Sequence, residues 1–237
     1  MKRFSYAIAA ALASFVGVVT TANAEYSARI VSEPGNQVVD PALAVAPDGT
    51  ATVAWTAYGL TGSDLRMARV EPDGTVGPAQ AFPGAGANSR NVDLAVDPEG
   101  RVTAVWESSP GEIQMSRIGA DGTPGPAQTL GTADDQAQPR VAVDRTGRAV
   151  VVYRGPPVGK HYGERSYRTR AVQVGADGAA EAPIDISRID VWSSELAIDG
   201  QGRAIIAWST GDFSSKRFFR VQSRTLFSDG SSVRFAP

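Results

Sequence analysis

The residues best suited to chemistry cluster in one polar connection, residues 154–166, which contains the only histidine of the chain. The candidate ligand-binding residues are Arg154, Lys160, His161, Tyr162, Arg165 and Arg168, together with Trp192, which we expect outside the strands in the connection before the fourth unit. Arginine pairs carboxylate or phosphate oxygens in a planar fork, and an aromatic ring offers a stacking surface. The pattern therefore predicts a pocket for an acidic sugar or another anion. The competing interpretation is a solvated loop with arginines at strand edges.

The patterns that would indicate a catalytic or a metal-binding site are weaker than this anion-binding pattern. His161 has Ser166 and Glu164 nearby, but no nucleophile-elbow motif surrounds them. A glycoside hydrolase needs two carboxylates about 5 to 9.5 Å apart. The acids on the variable connections neither recur nor pair by any motif: Asp64, Glu107, Glu112, Asp134, Asp135, Asp190, Glu195 and Asp212. The Asp-containing turns lack the alternating spacing of a calcium loop, and the chain has no cysteine. We therefore predict no catalytic residues, no metal and no cofactor.

The elements that position these residues repeat four times. Turns ending at Gly49, Gly100, Gly147 and Gly202 are separated by 51, 47 and 55 residues. An alanine lies five residues before each glycine, at Ala44, Ala95, Ala142 and Ala197. An aromatic lies six residues after each, at Trp55, Trp106, Tyr153 and Trp208. This frame predicts one structural unit repeated along the chain.

Each unit contains the pattern of four antiparallel strands. The first is apolar on both faces, and the second alternates with period two and ends in the aromatic ring. A third strand ends in a turn at Gly74, Gly122, Gly178 or Gly230, and a short fourth strand follows. We predict an all-β fold, a β-propeller of four blades near 40–84, 91–131, 138–187 and 193–237. We also expect an extra N-terminal strand around 28–31 to close the ring, and the repeated aromatics to pack between blades.

The cadence Pro-x-Leu-Ala-Val-x-Pro-Asp-Gly-x-Ala-x-Val-Ala-Trp at Pro41–Trp55 resembles the NHL-type and related repeats of secreted bacterial β-propellers. This resemblance covers nearly all of residues 25–237 and implies the propeller fold. Families with this cadence include lectins, protein-binding scaffolds, lactonases and sialidase-like hydrolases, so the resemblance implies fold more than function. No turn reads Ser-x-Asp-x-Gly-x-Thr-Trp, the Asp box of sialidases.

The N-terminus has the pattern of a signal peptide. Lys2 and Arg3 precede an apolar run, and Ala22-Asn23-Ala24 has the small-x-small form that signal peptidase recognises. We expect residues 1–24 to be removed, residues 25–237 to form a single domain, and the protein to be secreted or periplasmic with no membrane span. The full chain has a net charge of −2, which argues against nucleic acid as a partner.

Function is expected on the face that carries the second-to-third-strand loops and the connections between blades, because their lengths differ between units. Residues 154–237 are the basic side, with 12 bases and nine acids. The leading hypothesis is a non-catalytic module that binds a glycan or a protein through this face. The alternative is a glycoside hydrolase, or another propeller-fold hydrolase, acting at the axial cleft.

Overall fold

The computed structural model describes residues 28–34, 37–82, 84–161, 164–187, 191–212, 217–226 and 232–233. Eighteen strands are present in this part of the chain, and no helix. Blade 1 consists of β1 (Gln37–Val45), β2 (Ala51–Gly59), β3 (Gly62–Val70) and β4 (Gln80–Ala81). Blade 2 consists of β5 (Arg90–Val96), β6 (Val102–Ser108), β7 (Glu112–Ile118) and β8 (Gln128–Thr132).

Blade 3 consists of β9 (Arg140–Val143), β10 (Ala149–Arg154), β13 (Thr169–Val174) and β14 (Ile184–Asp185). A separate hairpin, β11 (Gly159–His161) with β12 (Glu164–Ser166), is inserted between its second and third strands. Blade 4 consists of β15 (Val191–Ile198), β16 (Ala204–Asp212), β17 (Arg217–Leu226) and β18 (Ser232–Val233).

Each blade is a four-stranded antiparallel meander. The first strands pack in series, β1 against β5, β5 against β9, and β9 against β15. No comparable packing joins β15 to β1 within the described ranges. The predicted all-β architecture of four four-stranded blades is confirmed, and the fold is a β-propeller. The described blades form an open series.

One end of the blades carries the turns between first and second strands and between third and fourth strands; we call it the turn face. Its first-to-second turns are held by an aspartate that accepts amides of its own turn. Oδ1 of Asp144 accepts the backbone amides of Thr146 and Arg148 at 2.8 and 3.1 Å. The glycine that closes this turn, Gly147, has φ of 81°, a left-handed conformation that favours glycine. The opposite end is the loop face.

Apolar clusters fill the spaces between neighbouring blades. Trp106 packs with Leu65, Met67 and Phe82 of blade 1, its ring centroid 5.2 Å from that of Phe82. Tyr153 packs with Val105 of blade 2. Trp208 lies in one cluster with residues of blade 3. The expectation that the repeated aromatics lie between blades is confirmed for these three, each of which clusters with residues of the preceding blade. Trp55 of blade 1 instead packs with Val31 of the N-terminal segment.

Two sequence expectations need correction. Residues 28–31 form no strand; instead Val31 packs against Trp55, Ala57 and Ala68 on the outer side of blade 1. Residues 28–31 thus cover apolar side chains of blade 1 and do not pair with a strand of blade 4. Trp192 was expected outside the strands but lies within β15, because the pairing of β15 with β16 already begins at Val191. The expected signal peptide, 1–24, lies outside the described residues.

Candidate functional site

The loop face contains a cleft of about 620 Å³ between blades 1, 2 and 3. We call it the loop cleft. Its walls come from the β2–β3 and β6–β7 turns, from the connections that precede β5 and β9, and from Pro157 before the inserted hairpin. Polar side chains dominate the lining, among them Tyr58, Ser63, Asn88, Arg90, Asp134 and Asp135. The cleft therefore presents hydroxyl, amide, carboxylate and guanidinium groups together.

A glycine sets one wall of this cleft. Gly62, at the start of β3, has φ of 136°, and a Cβ placed on it would lie 2.3 Å from Oδ1 of Asn88. Asn88 itself has φ of 63°, which asparagine adopts more readily than most residues, and its amide donates to the carbonyl of Ser63 at 2.8 Å. The close approach of Gly62 and Asn88 brings the connection after blade 1 against the β2–β3 turn.

Glu107, at the end of β6, is the buried carboxylate at the base of the cleft. Its Oε1 accepts hydrogen bonds from Nε and Nη2 of Arg90 at 3.1 and 2.6 Å. Its Oε2 accepts from the side-chain amide of Asn91 at 2.9 Å and from the backbone amide of Ala137 at 3.2 Å. The hydrogen bond to Glu107 raises the pKa of Arg90 above its ordinary value. Four donors thus fix this carboxylate in one position.

A second buried ion pair lies beside the first. Asp134, in the connection after β8, pairs with Arg154 at the end of β10. The guanidinium of Arg154 also lies over the ring of Tyr167, 4.5 Å from its centroid, a cation–π contact. Burial raises the pKa of Asp134 above its usual value, and a hydrogen bond with the side chain of Asp135 raises it further, against the lowering effect of Arg154.

An axial pocket of about 460 Å³ adjoins the loop cleft, between the first strands of blades 1 to 3. Asp40, Asn91 and Gln138 occupy equivalent positions there and have positive φ angles of 50°, 54° and 44°. Asp93 lines this pocket and its Oδ2 accepts the backbone amide of Val141 at 2.8 Å. Burial raises the pKa of Asp93. Because Glu107 contacts both Arg90 and Asn91, it separates the two cavities.

The structure places most of the sequence-predicted site residues on blade 3 and its inserted hairpin. Arg154 lies at the loop cleft in the ion pair with Asp134, and Nη1 of Arg168 donates to Oδ2 of Asp185 at 2.6 Å. Lys160 and His161 lie on β11, and Arg165 lies on β12 opposite Lys160. Tyr162 lies outside the described residues, and Trp192 lies on β15.

Sequence reasoning did not single out Glu107, Arg90 or Asn91 as a group. A signal was present in the repeat. The residue that directly follows the repeated aromatic of each unit is Thr56 in blade 1, Glu107 in blade 2, Arg154 in blade 3 and Ser209 in blade 4. A carboxylate and a guanidinium in such a buried strand position require partners, and that requirement could have marked both residues.

The described residues contain no group of three or more His, Cys, Asp or Glu side chains that could hold a metal ion. In the same ranges there is also no helix long and apolar enough to cross a membrane.

Solved structures of β-propeller proteins resemble this chain. The Penicillium chrysogenum alpha-L-arabinanase complexed with arabinobiose gives a TM-score of 0.56 at 11% identity, covering 82% of this chain and 68% of that chain. A Hadza microbial sialidase gives 0.54 at 13% identity, covering 84% and 46%. The propeller domain of the Trilobed protease from Pyrococcus furiosus, described as having an open velcro topology, gives 0.51 at 7% identity, covering 84% and 56%.

The chain spans about half the length of the sialidase and of the protease chain. The sequence matches no protein-family model and no curated protein. At these identities the likeness shows the fold alone.

Proposed function

We propose that the protein binds a glycan in the loop cleft without converting it. The observation that carries this proposal is the combination of an open polar cleft with acids that are already paired. Glu107 accepts four hydrogen bonds, and Asp134 pairs with Arg154. The charges at the base of the cleft thus stabilise the wall, and the exposed groups at its rim are available to a ligand.

The rim suits a sugar. Tyr58 is exposed at the end of β2, Asn88 is exposed opposite Gly62, and Asp135 is exposed in the connection before β9. A tyrosine ring offers an apolar face together with a hydroxyl, and amide and carboxylate groups match sugar hydroxyls as donors and acceptors. Two of the structural neighbours are named as an arabinanase and a sialidase, which supports a glycan as the ligand class.

The inserted hairpin extends this surface and favours an acidic sugar. Pro157, which lines the loop cleft, lies two residues before β11, and the hairpin strands contain Lys160, His161 and Arg165. The positive charges of Lys160 and Arg165 in this segment favour carboxylate-bearing ligands. The protein would then act outside the cytoplasm, as expected from residues 1–24. The experiment below also distinguishes a glycan ligand from a protein ligand that binds the same face.

A glycoside hydrolase is the second candidate, favoured by one observation. Asp93 and Asp134 both have pKa values raised by burial, and they line adjoining cavities. A glycosidase needs one carboxyl group held protonated as the general acid and a second that is ionised. The engagement of Asp134 by Arg154 and of Asp93 by the amide of Val141 argues against this role.

The test is a glycan array probed with the purified protein, followed by an assay of every bound glycan for turnover. We expect binding of acidic glycans with no product released. Tyr58→Ala and Asn88→Gly should each weaken binding at least about tenfold, a change of roughly 1.4 kcal/mol. Glycine is chosen at position 88 because it tolerates the positive φ angle. Leu60→Ala, a change at a fully exposed residue of the neighbouring turn, is the matched control and should bind normally.

Release of a shortened glycan would show that the protein is a hydrolase and would overturn the proposal of binding without conversion. Binding that survives both Tyr58→Ala and Asn88→Gly would remove the loop cleft as the site. If no glycan binds but a protein is captured, and capture is lost in the same two variants, the site stands and the ligand class is wrong.

A further inference from the structure

Each of the two end blades exposes apolar residues whose equivalents are buried between blades elsewhere in the described residues. In the three described interfaces, one blade contributes the residues around its repeated aromatic, and the preceding blade contributes its opposite surface. Within the described residues, no blade packs on the leading side of blade 1, where the N-terminal segment covers only the part around Trp55, and no blade packs on the trailing side of blade 4. Because β15 does not pack against β1 in the described part of the chain, these two sides do not meet within one chain.

The leading side of blade 1 is apolar and open. Leu43 is 60% exposed, whereas the equivalent Leu94 and Val141 are each 7% exposed because they pack on the preceding blade. Val45 is likewise exposed, and its equivalent in blade 2, Val96, packs against the cluster between blades 1 and 2. The N-terminal segment covers Trp55 through Val31 but leaves these β1 residues exposed.

The trailing side of blade 4 shows the same contrast. Val221 on β17 pairs with Ser209 and is 78% exposed. The residues at the same register in blades 1, 2 and 3 are Leu65, Ile113 and Thr169, all 0% exposed. Ile205 on β16 is also exposed, although its equivalents are buried in the other three blades: Thr52, Thr103 and Val150. The surface has the residue types of an interface and no blade against it.

A polar contact on the turn face also joins neighbouring blades and has a candidate counterpart at the end of blade 4. Nη2 of Arg148, in blade 3, donates to the carbonyl of Gly202 in the first turn of blade 4, at 2.6 Å. Arg203 occupies the position of Arg148 in blade 4 and makes the same pair with its own turn aspartate, Asp199, at 2.7 Å. The glycine equivalent to Gly202 in a following blade is Gly49 of blade 1. Arg203 is thus placed to donate to Gly49 across an interface that the described blades of one chain do not form.

We propose that these two surfaces meet between two copies of this chain, head to tail, with blade 4 of each copy packed on blade 1 of the other. The surfaces are the two halves of an interface that the fold already builds three times, so a second copy is complementary to both at once. Self-association through a heterologous contact closes into a ring when the rotation per unit divides a full turn.

The open series of first strands sets the size of this ring. If four blades completed a turn, β15 would pack against β1. Since it does not, each blade rotates by less than a quarter turn, and a closed ring needs more than four blades. Rings of identical four-bladed chains contain a multiple of four, and eight is the next. The assembly is a twofold-symmetric dimer forming one eight-bladed ring.

Sedimentation velocity of the purified protein over a range of concentrations tests the proposal. We expect the wild type to have twice the mass of one chain. Leu43→Asp breaks the blade 1 side and Val221→Asp breaks the blade 4 side, so each variant alone should be monomeric. An equimolar mixture should regain a dimer, because blade 4 of the first variant and blade 1 of the second are both intact. Leu60→Asp, the same change at an exposed residue away from both surfaces, should remain dimeric.

Circular dichroism of each variant establishes that it is folded. If either aspartate variant unfolds, Arg203→Ala replaces it and should weaken the dimer several-fold. A monomeric wild type overturns the proposal, as does a closed trimer or an open filament. A dimer that Leu43→Asp abolishes but Val221→Asp and Arg203→Ala leave intact would be a contact between two blade 1 surfaces, which also overturns the head-to-tail arrangement.

Discussion

The turn face and the loop face of the propeller are built from the same strands but treat their charges in opposite ways. On the turn face, Asp97, Asp144 and Asp199 repeat the same structure, each accepting its own turn amides and pairing with the arginine four residues later. On the loop face, Glu107 and Asp134 make contacts that occur once in the described residues. Contacts that recur from blade to blade thus belong to the scaffold, whereas the candidate site is built from contacts that occur once in the described residues.

The pKa values follow the same division. On the turn face, burial raises the pKa of Asp144, but hydrogen bonds from Thr146 and Arg148 outweigh it and the net pKa is lowered. The pKa of Asp199 is lowered mainly by the backbone amide of Arg203. In the cavities of the loop face, burial prevails and the pKa values of Asp93 and Asp134 are raised. The carboxylates of Asp144 and Asp199 on the turn face therefore stabilise the fold when ionised, whereas ionisation of Asp93 and Asp134 in the cavities costs folding free energy.

The largest effect should come from the buried carboxylate at the base of the loop cleft. Glu107→Ala leaves Arg90, the side-chain amide of Asn91 and the backbone amide of Ala137 without their acceptor, which should cost about 3 kcal/mol. Urea denaturation of the purified variant measures the loss in free energy of unfolding. Glu99→Ala, at an exposed turn-face residue, is the control and should stay within about 0.5 kcal/mol of wild type. A loss below about 1 kcal/mol for Glu107→Ala would show that the pair does not hold the cleft.

A smaller difference should separate two equivalent turn-face aspartates. Asp144→Ala removes amide acceptors and frees Arg148, whose contact with Gly202 joins two blades, so we expect a loss of about 2 kcal/mol. Asp199→Ala removes the same turn contacts at an exposed site and should cost clearly less than Asp144→Ala. Because the pKa of Asp144 is lowered, its contribution is present above the ordinary pKa of 3.8 and is lost as the pH falls through the lowered value. Equal losses for both variants at pH 7 would contradict the role of the contact between blades.

Asp93→Asn should act in the opposite direction. Its raised pKa means that ionisation costs folding free energy, so the penalty appears as the pH rises through the raised value and is absent below the ordinary pKa of 3.8. Asparagine keeps an acceptor for the amide of Val141. We expect a melting temperature on the order of 2 °C higher than wild type at pH 7 and no difference near pH 3.

The control for this variant is Asp40→Asn, which makes the same chemical change at an exposed residue of the same pocket. It should not reproduce the gain at pH 7. A lower melting temperature for Asp93→Asn at pH 7 would show that the ionised carboxylate is stabilising, and the contrast between the two faces would be wrong.

The smallest effect on stability is expected in the inserted hairpin. Replacing Lys160, His161 and Arg165 by alanine should leave the melting temperature within about 2 °C of wild type, as for surface changes. The same variant should lose binding of acidic glycans on the array. A collapse of the melting temperature would show that these side chains are structural, whereas unchanged binding would place the site elsewhere on the loop face.

The sequence specified the repeated part of the molecule well, because turn glycines, aromatics and strand patterns recur at fixed offsets. Trp106, Tyr153 and the Asp144 turn were interpretable for this reason. Glu107 was visible as an acid, but its pairing with Arg90 depends on a connection between blades whose path no local pattern encodes. The same holds for Trp192, since β15 begins earlier relative to its turn glycine than β5 or β9 does. It also holds for Val31, which contacts Trp55 from a segment without a strand pattern that is distant in sequence.

The series of first strands, in which each blade packs only on its neighbours, also determines how the molecule opens. In such a one-dimensional array, stability is the sum of each unit and its nearest-neighbour contacts. In a single chain that is not associated with a second copy, a blade at an end of the described series has one such contact where an inner blade has two. In that unassociated chain, local unfolding should therefore begin at an end, and amide hydrogens of β16 should exchange with solvent at a lower opening free energy than those of β6 or β10. Once an end blade opens, the next becomes an end, so loss of structure propagates inward blade by blade.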